Sequence, residues 1–197
     1  MRVLPLPLSL SLALIAAPVL AAQTPAPATP PTPPMPATAA PAAAAAAPCA
    51  SPEHRQFDFW LGDWVVSGKA GQPVGRSHIE SILGGCVIAE HWTSATGDGA
   101  NDGKSYNLYN AQSGQWEQFW VDAGGSRLLL AGSFAGNAMV LEGRQLKPDP
   151  KTGLVQRERI TWTANADGSV RQLWQSSTDE GKTWAVAFDG LYTHPAK

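Results

Sequence analysis

From Trp64 to Thr193 apolar and polar residues alternate with period two, and compact turn sequences interrupt the alternation about every ten residues. The pattern predicts ten strands, over residues 64–67, 74–83, 86–93, 104–110, 115–122, 127–134, 139–145, 155–163, 169–176 and 183–193. Breakers such as Ala111-Gln-Ser-Gly114, Ala135-Gly-Asn137 and Asn165-Ala-Asp-Gly168 cannot hold a crossover helix, so successive strands must pair antiparallel. Residues 94–103, rich in Gly and Asp, read as a mobile loop, and residues 53–61 have room for a short helical turn. A meander this long must hide its edges. The expected fold is therefore all-β, an antiparallel up-and-down β-barrel of about ten strands; a β-sandwich is the alternative.

Composition marks where that domain starts. All 16 aromatic residues, eight of them Trp, lie from Phe57 onward. Arg2 is the only charged side chain before Glu53. Core-forming and solvated groups thus begin together, and residues 51–197 match one ordinary domain. The stretch 1–22, with Arg2, an apolar run and Leu20-Ala21-Ala22, reads as a cleavable signal peptide, so no stable membrane span is expected afterwards. Residues 23–50 are nearly all Pro, Ala and Thr and read as a disordered, semi-stiff tether. The destination is periplasmic or secreted. A formal net charge of −2 without a basic cluster argues against nucleic acid. In an exported chain the two cysteines, Cys49 and Cys86, read naturally as one disulfide, although two separate thiols stay open.

The chemical motifs are mostly structural. Ser177-Thr-Asp179-Glu-Gly181-Lys-Thr183-Trp184 has the Asp-box pattern of sialidase propellers, but there is no room for enough blades, so it reads as a hairpin. Gly103-Lys104-Ser105 lacks the earlier glycine of a phosphate loop and leads into a strand. His54, His78, His91 and His194 have no metal-ligand spacing, and neither a metal nor a cofactor is expected. Glu80 and Glu90 would serve as a catalytic pair if they faced each other across a hairpin.

The most informative pattern is Trp interleaved with polar residues on one strand face. Trp116, Gln118, Trp120 and Asp122 share a face; so do Ile88, Glu90 and Trp92, and Val170, Gln172 and Trp174. Barrels that enclose a ligand mix stacking surfaces with a few polar groups in this way. The expected site is Trp92, Trp120 and Trp174 as walls, with Glu90, Gln118 and Arg159 as polar anchors, taking a small, partly apolar molecule. The alternatives are a hydrolase or isomerase using barrel-lining carboxylates, and a protein or glycan interaction module.

The box Phe57-Asp-Phe-Trp60-Leu-Gly62-Asp-Trp64, with Glu90-His-Trp92, Gly114-x-Trp116-x-Gln118-x-Trp120-Val-Asp122 and the closing Trp184-x-x-x-Phe188-Asp-Gly190-x-Tyr192, resembles the exported bacterial domain-of-unknown-function family numbered 1579. That resemblance implies a periplasmic or secreted protein and carries no activity with it. More distantly the chain is similar to the calycins, especially the nitrobindin and fatty-acid-binding types. Nitrobindins hold haem through a histidine near the C-terminus; His194 occupies such a position, but its surroundings do not match that motif.

Overall fold

The computed structural model describes residues 48–148, 150 and 152–196; residues 1–22, expected to be a signal peptide, and most of the expected tether lie outside the described residues. The ten strands are β1 (Gly62–Gly68), β2 (Pro73–Ile82), β3 (Val87–Ser94), β4 (Gly103–Asn110) and β5 (Gln115–Asp122), then β6 (Arg127–Ala135), β7 (Ala138–Arg144), β8 (Arg157–Ala164), β9 (Val170–Ser177) and β10 (Ala185–Thr193). Each pairs antiparallel with its neighbours in the chain. The last strand returns to the first, with Val65 opposite Thr193 and Gly68 opposite Gly190, so the sheet closes into a barrel without edges.

Side-chain alternation sorts the wall into two faces. In β2, Gly75, Ser77 and Ile79 point inward while Arg76, His78 and Glu80 point to solvent. In β8, Glu158, Ile160 and Trp162 point inward, and Arg157, Arg159 and Thr161 do not. The inward apolar residues join one core running from Phe57 and Trp60 through Leu141 and Trp162 to Tyr192.

Because the strands alternate in direction, β2–β3, β4–β5, β6–β7 and β8–β9 turn at one end of the barrel, all through short connections. That end is plugged by the chain before β1, which forms two 3-10 turns, Pro52–Arg55 and Asp58–Trp60. Phe57 stacks on Trp60 with ring centroids 5.0 Å apart and meets Trp116 and Trp162 edge-on at 5.6 and 5.3 Å. Phe57 and Trp60 are fully buried. Each such side chain contributes roughly 2–3 kcal/mol of apolar burial.

A disulfide between Cys49 and Cys86 staples the chain just before the plug to the β2–β3 turn. Arg55 supports the same junction by donating to the Gly85 carbonyl and pairing with Asp58 at 3.5 Å.

The opposite end carries the longer connections, including residues 94–103 and 144–157. In the first of these, expected as a mobile loop, acids cap local turns. Asp102 accepts from the Ser94 N–H at 2.8 Å, and Asp98 accepts from the Thr96 hydroxyl at 2.7 Å. The Asp-box hairpin also lies here and is structural. Asp179 accepts from the Ser177 hydroxyl at 2.8 Å and from the Thr183 N–H at 2.9 Å, while the Trp184 indole donates to the Gly181 carbonyl. Those donors hold the Asp179 carboxyl down at about 2.

Candidate functional site

The wide-loop end is the barrel's mouth. Trp92, Trp120, Trp174 and Phe188 reach it from β3, β5, β9 and β10 on inward positions, and all four are only partly buried. Two of them need glycine beneath them. A Cβ on Gly75 would sit 2.5 Å from the Trp92 indole, and one on Gly103 would sit 2.3 Å from that of Trp120. Each indole therefore brings its benzo edge onto the glycine of the neighbouring strand. Trp92 and Phe188 meet edge-on at 6.0 Å.

Carboxylates fix two of the four rings, Trp120 again and Trp174. The Trp120 N–H donates to Asp122 at 3.3 Å, and the Trp174 N–H donates to Glu158 at 2.7 Å. Glu158 is nearly sealed, at 1% exposure, and also accepts from the Gln145 and Gln156 side-chain amides at 3.0 and 2.7 Å. Its oxygens are satisfied entirely by neutral N–H groups.

Two positions deeper along β3 and β5, on the same face, lie Glu90 and Gln118. Glu90 accepts from the Ser77 and Ser105 hydroxyls, both at 2.9 Å. The Asn107 side-chain amide donates to the Ser105 hydroxyl at 3.0 Å, and Gln118 donates to the Asn107 Oδ1 at 2.9 Å. The chain of hydrogen bonds thus crosses β2, β3, β4 and β5. Burial pushes the Glu90 carboxyl up to about 7, with the two hydroxyls opposing the shift only in part. Tyr192, whose hydroxyl donates to Gln172 at 2.5 Å, is raised well above its ordinary value by burial and, to a lesser degree, by the Glu90 charge.

Of the expected site residues, Trp92, Trp120, Trp174, Glu90 and Gln118 all lie on the inner face. Arg159 does not. It sits between inward Glu158 and Ile160, so strand parity turns it outward, where it bonds Gln175 at 3.0 Å and covers the Trp184 ring at 4.1 Å. The Glu80–Glu90 pair fails for the same reason. β2 and β3 do form a hairpin, but Glu90 stands opposite Ile79 and Glu80 opposite Ala89, which puts the two carboxylates on opposite faces of the wall. His194 stacks on Trp64 with centroids 4.0 Å apart and is exposed.

Sequence reasoning left out Ser77, Ser105, Asn107 and Tyr192, which complete the inner network. No face is assigned from sequence on their strands, β2, β4 and β10, so only the register with β3, β5 and β9 brings them to the inner face. Glu158, inward beside Ile160 and Trp162, is a further inner-face acid that the expected site did not include.

The outer wall has features of its own. Tyr106, Phe119 and Leu129 stand side by side across β4, β5 and β6 and are 44%, 39% and 51% exposed. A cleft of about 510 Å³ borders Leu129 and Leu146, and another of about 400 Å³ borders Asp63, Arg76, His78 and His91. The second also touches buried Trp64 and Ser77, and neither is lined by Trp92, Trp120, Trp174 or Glu90. Compared with known proteins, the chain matches no family model and no curated protein.

Proposed function

We propose that this is an exported, non-catalytic barrel of the calycin type, related to the domain-of-unknown-function family numbered 1579, that binds a small, partly apolar molecule at its mouth. The observation carrying this reading is the uneven treatment of inward aromatics. Those at the plug are sealed, whereas Trp92, Trp120, Trp174 and Phe188 stay partly exposed above the polar pair Glu90 and Gln118. Apolar walls over a few oriented polar groups are the usual makeup of a small-molecule site. The test is titration with the neutral probe Nile red, followed by Trp fluorescence and melting temperature. Quenching and a raised melting temperature are expected, both weakened by Trp120→Ala. An unchanged spectrum and melting curve would remove the reading.

The second reading is a protein or glycan interaction module, favoured by the exposed row Tyr106, Phe119 and Leu129. It predicts that Phe119→Ser abolishes partner capture while leaving Nile red binding intact.

A further inference from the structure

The outer wall of β4, β5 and β6 sorts its side chains by row. The register sets Tyr106, Phe119 and Leu129 side by side, and all three are exposed. Two positions toward the mouth, Lys104, Val121 and Arg127 form the next outward row. Two positions toward the plug, Leu108, Glu117 and Ala131 form a third. The apolar row thus runs between a cationic row and a row that carries an acid. Among the described residues neither Lys104 nor Arg127 takes part in a salt bridge. Glu117 has only neutral donors, chiefly the Asn110 amide at 2.8 Å. Leu108 and Val121 are exposed as well, so apolar surface is continuous across the three rows.

Symmetry selects the occupant. Let a second copy meet this face about a two-fold axis lying along the Tyr106–Phe119–Leu129 row. Each residue of the row toward the mouth then faces the residue on the same strand of the row toward the plug. Glu117 of one copy lies over Val121 of the other, flanked by Lys104 and Arg127 at one strand spacing, about 4.8 Å, on either side. The axis repeats the cluster, so one acid and two cations per chain close two mixed clusters with the apolar row packed on its own copy between them. An axis along β5 would instead set Lys104 against Arg127 and Glu117 against its own copy, all like charges. We infer that this face binds a second copy of the chain in an isologous dimer, the apolar row supplying the buried area and the charges fixing the register. The inference rests on the interaction-module reading of this face and names its partner.

The experiment is sedimentation velocity on the full-length, disulfide-bonded protein from about 1 to 100 μM. Wild type is expected to pass from monomer to dimer across that range. A variant carrying Lys104→Glu and Arg127→Glu, and a second carrying Glu117→Lys, should each self-associate at least about tenfold more weakly. An equimolar mixture of the two should form a mixed dimer at about wild-type affinity, because the exchanged charges match across both clusters. Leu129→Ser should weaken every combination, and melting curves establish that the variants are folded. Wild type that stays monomeric at about 100 μM, or dimers that neither charge variant weakens, would overturn the inference. Weakened variants whose mixture fails to associate would overturn the two-fold arrangement. The broader interaction reading is decided separately, by whether Phe119→Ser abolishes partner capture.

Discussion

The two ends of this barrel are built from the same residue types and finished in opposite ways. At the plug, Phe57, Trp60, Trp116 and Trp162 pack ring against ring and lose all but traces of solvent contact. At the mouth, Trp92, Trp120 and Trp174 rest on glycine backbone or carboxylate oxygens and keep part of their surface. Aromatic area is worth most to stability when it is sealed, and most to recognition when it is fixed but reachable. The difference includes one extra layer: the segment 52–60 covers the plug end and buries Phe57 and Trp60.

The comparison is broken most directly at the plug. Trp60→Ala should destabilise the protein by about 3–5 kcal/mol, because a fully buried ring leaves a cavity that rigid neighbours cannot fill. Urea denaturation checks this, and a loss no larger than that of a mouth substitution would erase the distinction. Next comes the staple. Replacing Cys49 and Cys86 by Ser should cost about 3–4 kcal/mol, from the loop-closure entropy of a 37-residue separation. The effect should match that of reductant on the wild-type protein.

Beneath the mouth, Glu90 gives a pH test of about 3 kcal/mol. Its carboxyl titrates at about 7 in the fold against an ordinary value of 4.5. Between those values the folded protein keeps a proton that the unfolded chain releases, so stability is complete below 4.5 and is lost as pH rises through about 7. Glu90→Gln should therefore gain on wild type by about 3 kcal/mol between about pH 4 and pH 8 in denaturation curves. A difference that does not change with pH would show that the carboxyl is not held by burial. The smallest effect is expected at the rim. Trp120→Ala should cost about 1–2 kcal/mol in stability, since its ring is partly solvated already, while weakening Nile red binding.

Much of this was readable before folding. The strands expected at 115–122 and 127–134 match β5 and β6 within one residue, because alternation and turn residues are local signals. The first strand begins two residues earlier than expected, at Gly62 rather than Trp64. Five of six site residues were placed on the inner face because each carried a Trp or shared a face with one. Arg159 was misplaced because its charge suggested an anchor, whereas parity with Ile160 and Trp162 had already turned it outward. Glu80 and Glu90 were paired on the strength of a correct hairpin, but hairpin formation does not fix register, and register decides which residues face each other.

By itself the sequence determined the number of strands, their antiparallel order and the membership of each face, since those follow from short connections and a period of two. It also made a Cys49–Cys86 bridge the natural reading. Only the tertiary structure decided which face points inward, which end is sealed, and that Glu90, Ser105, Asn107 and Gln118 join one network. Those properties depend on register across neighbouring strands and on where the 3-10 segment lands, and both are set by contacts between residues distant in the chain.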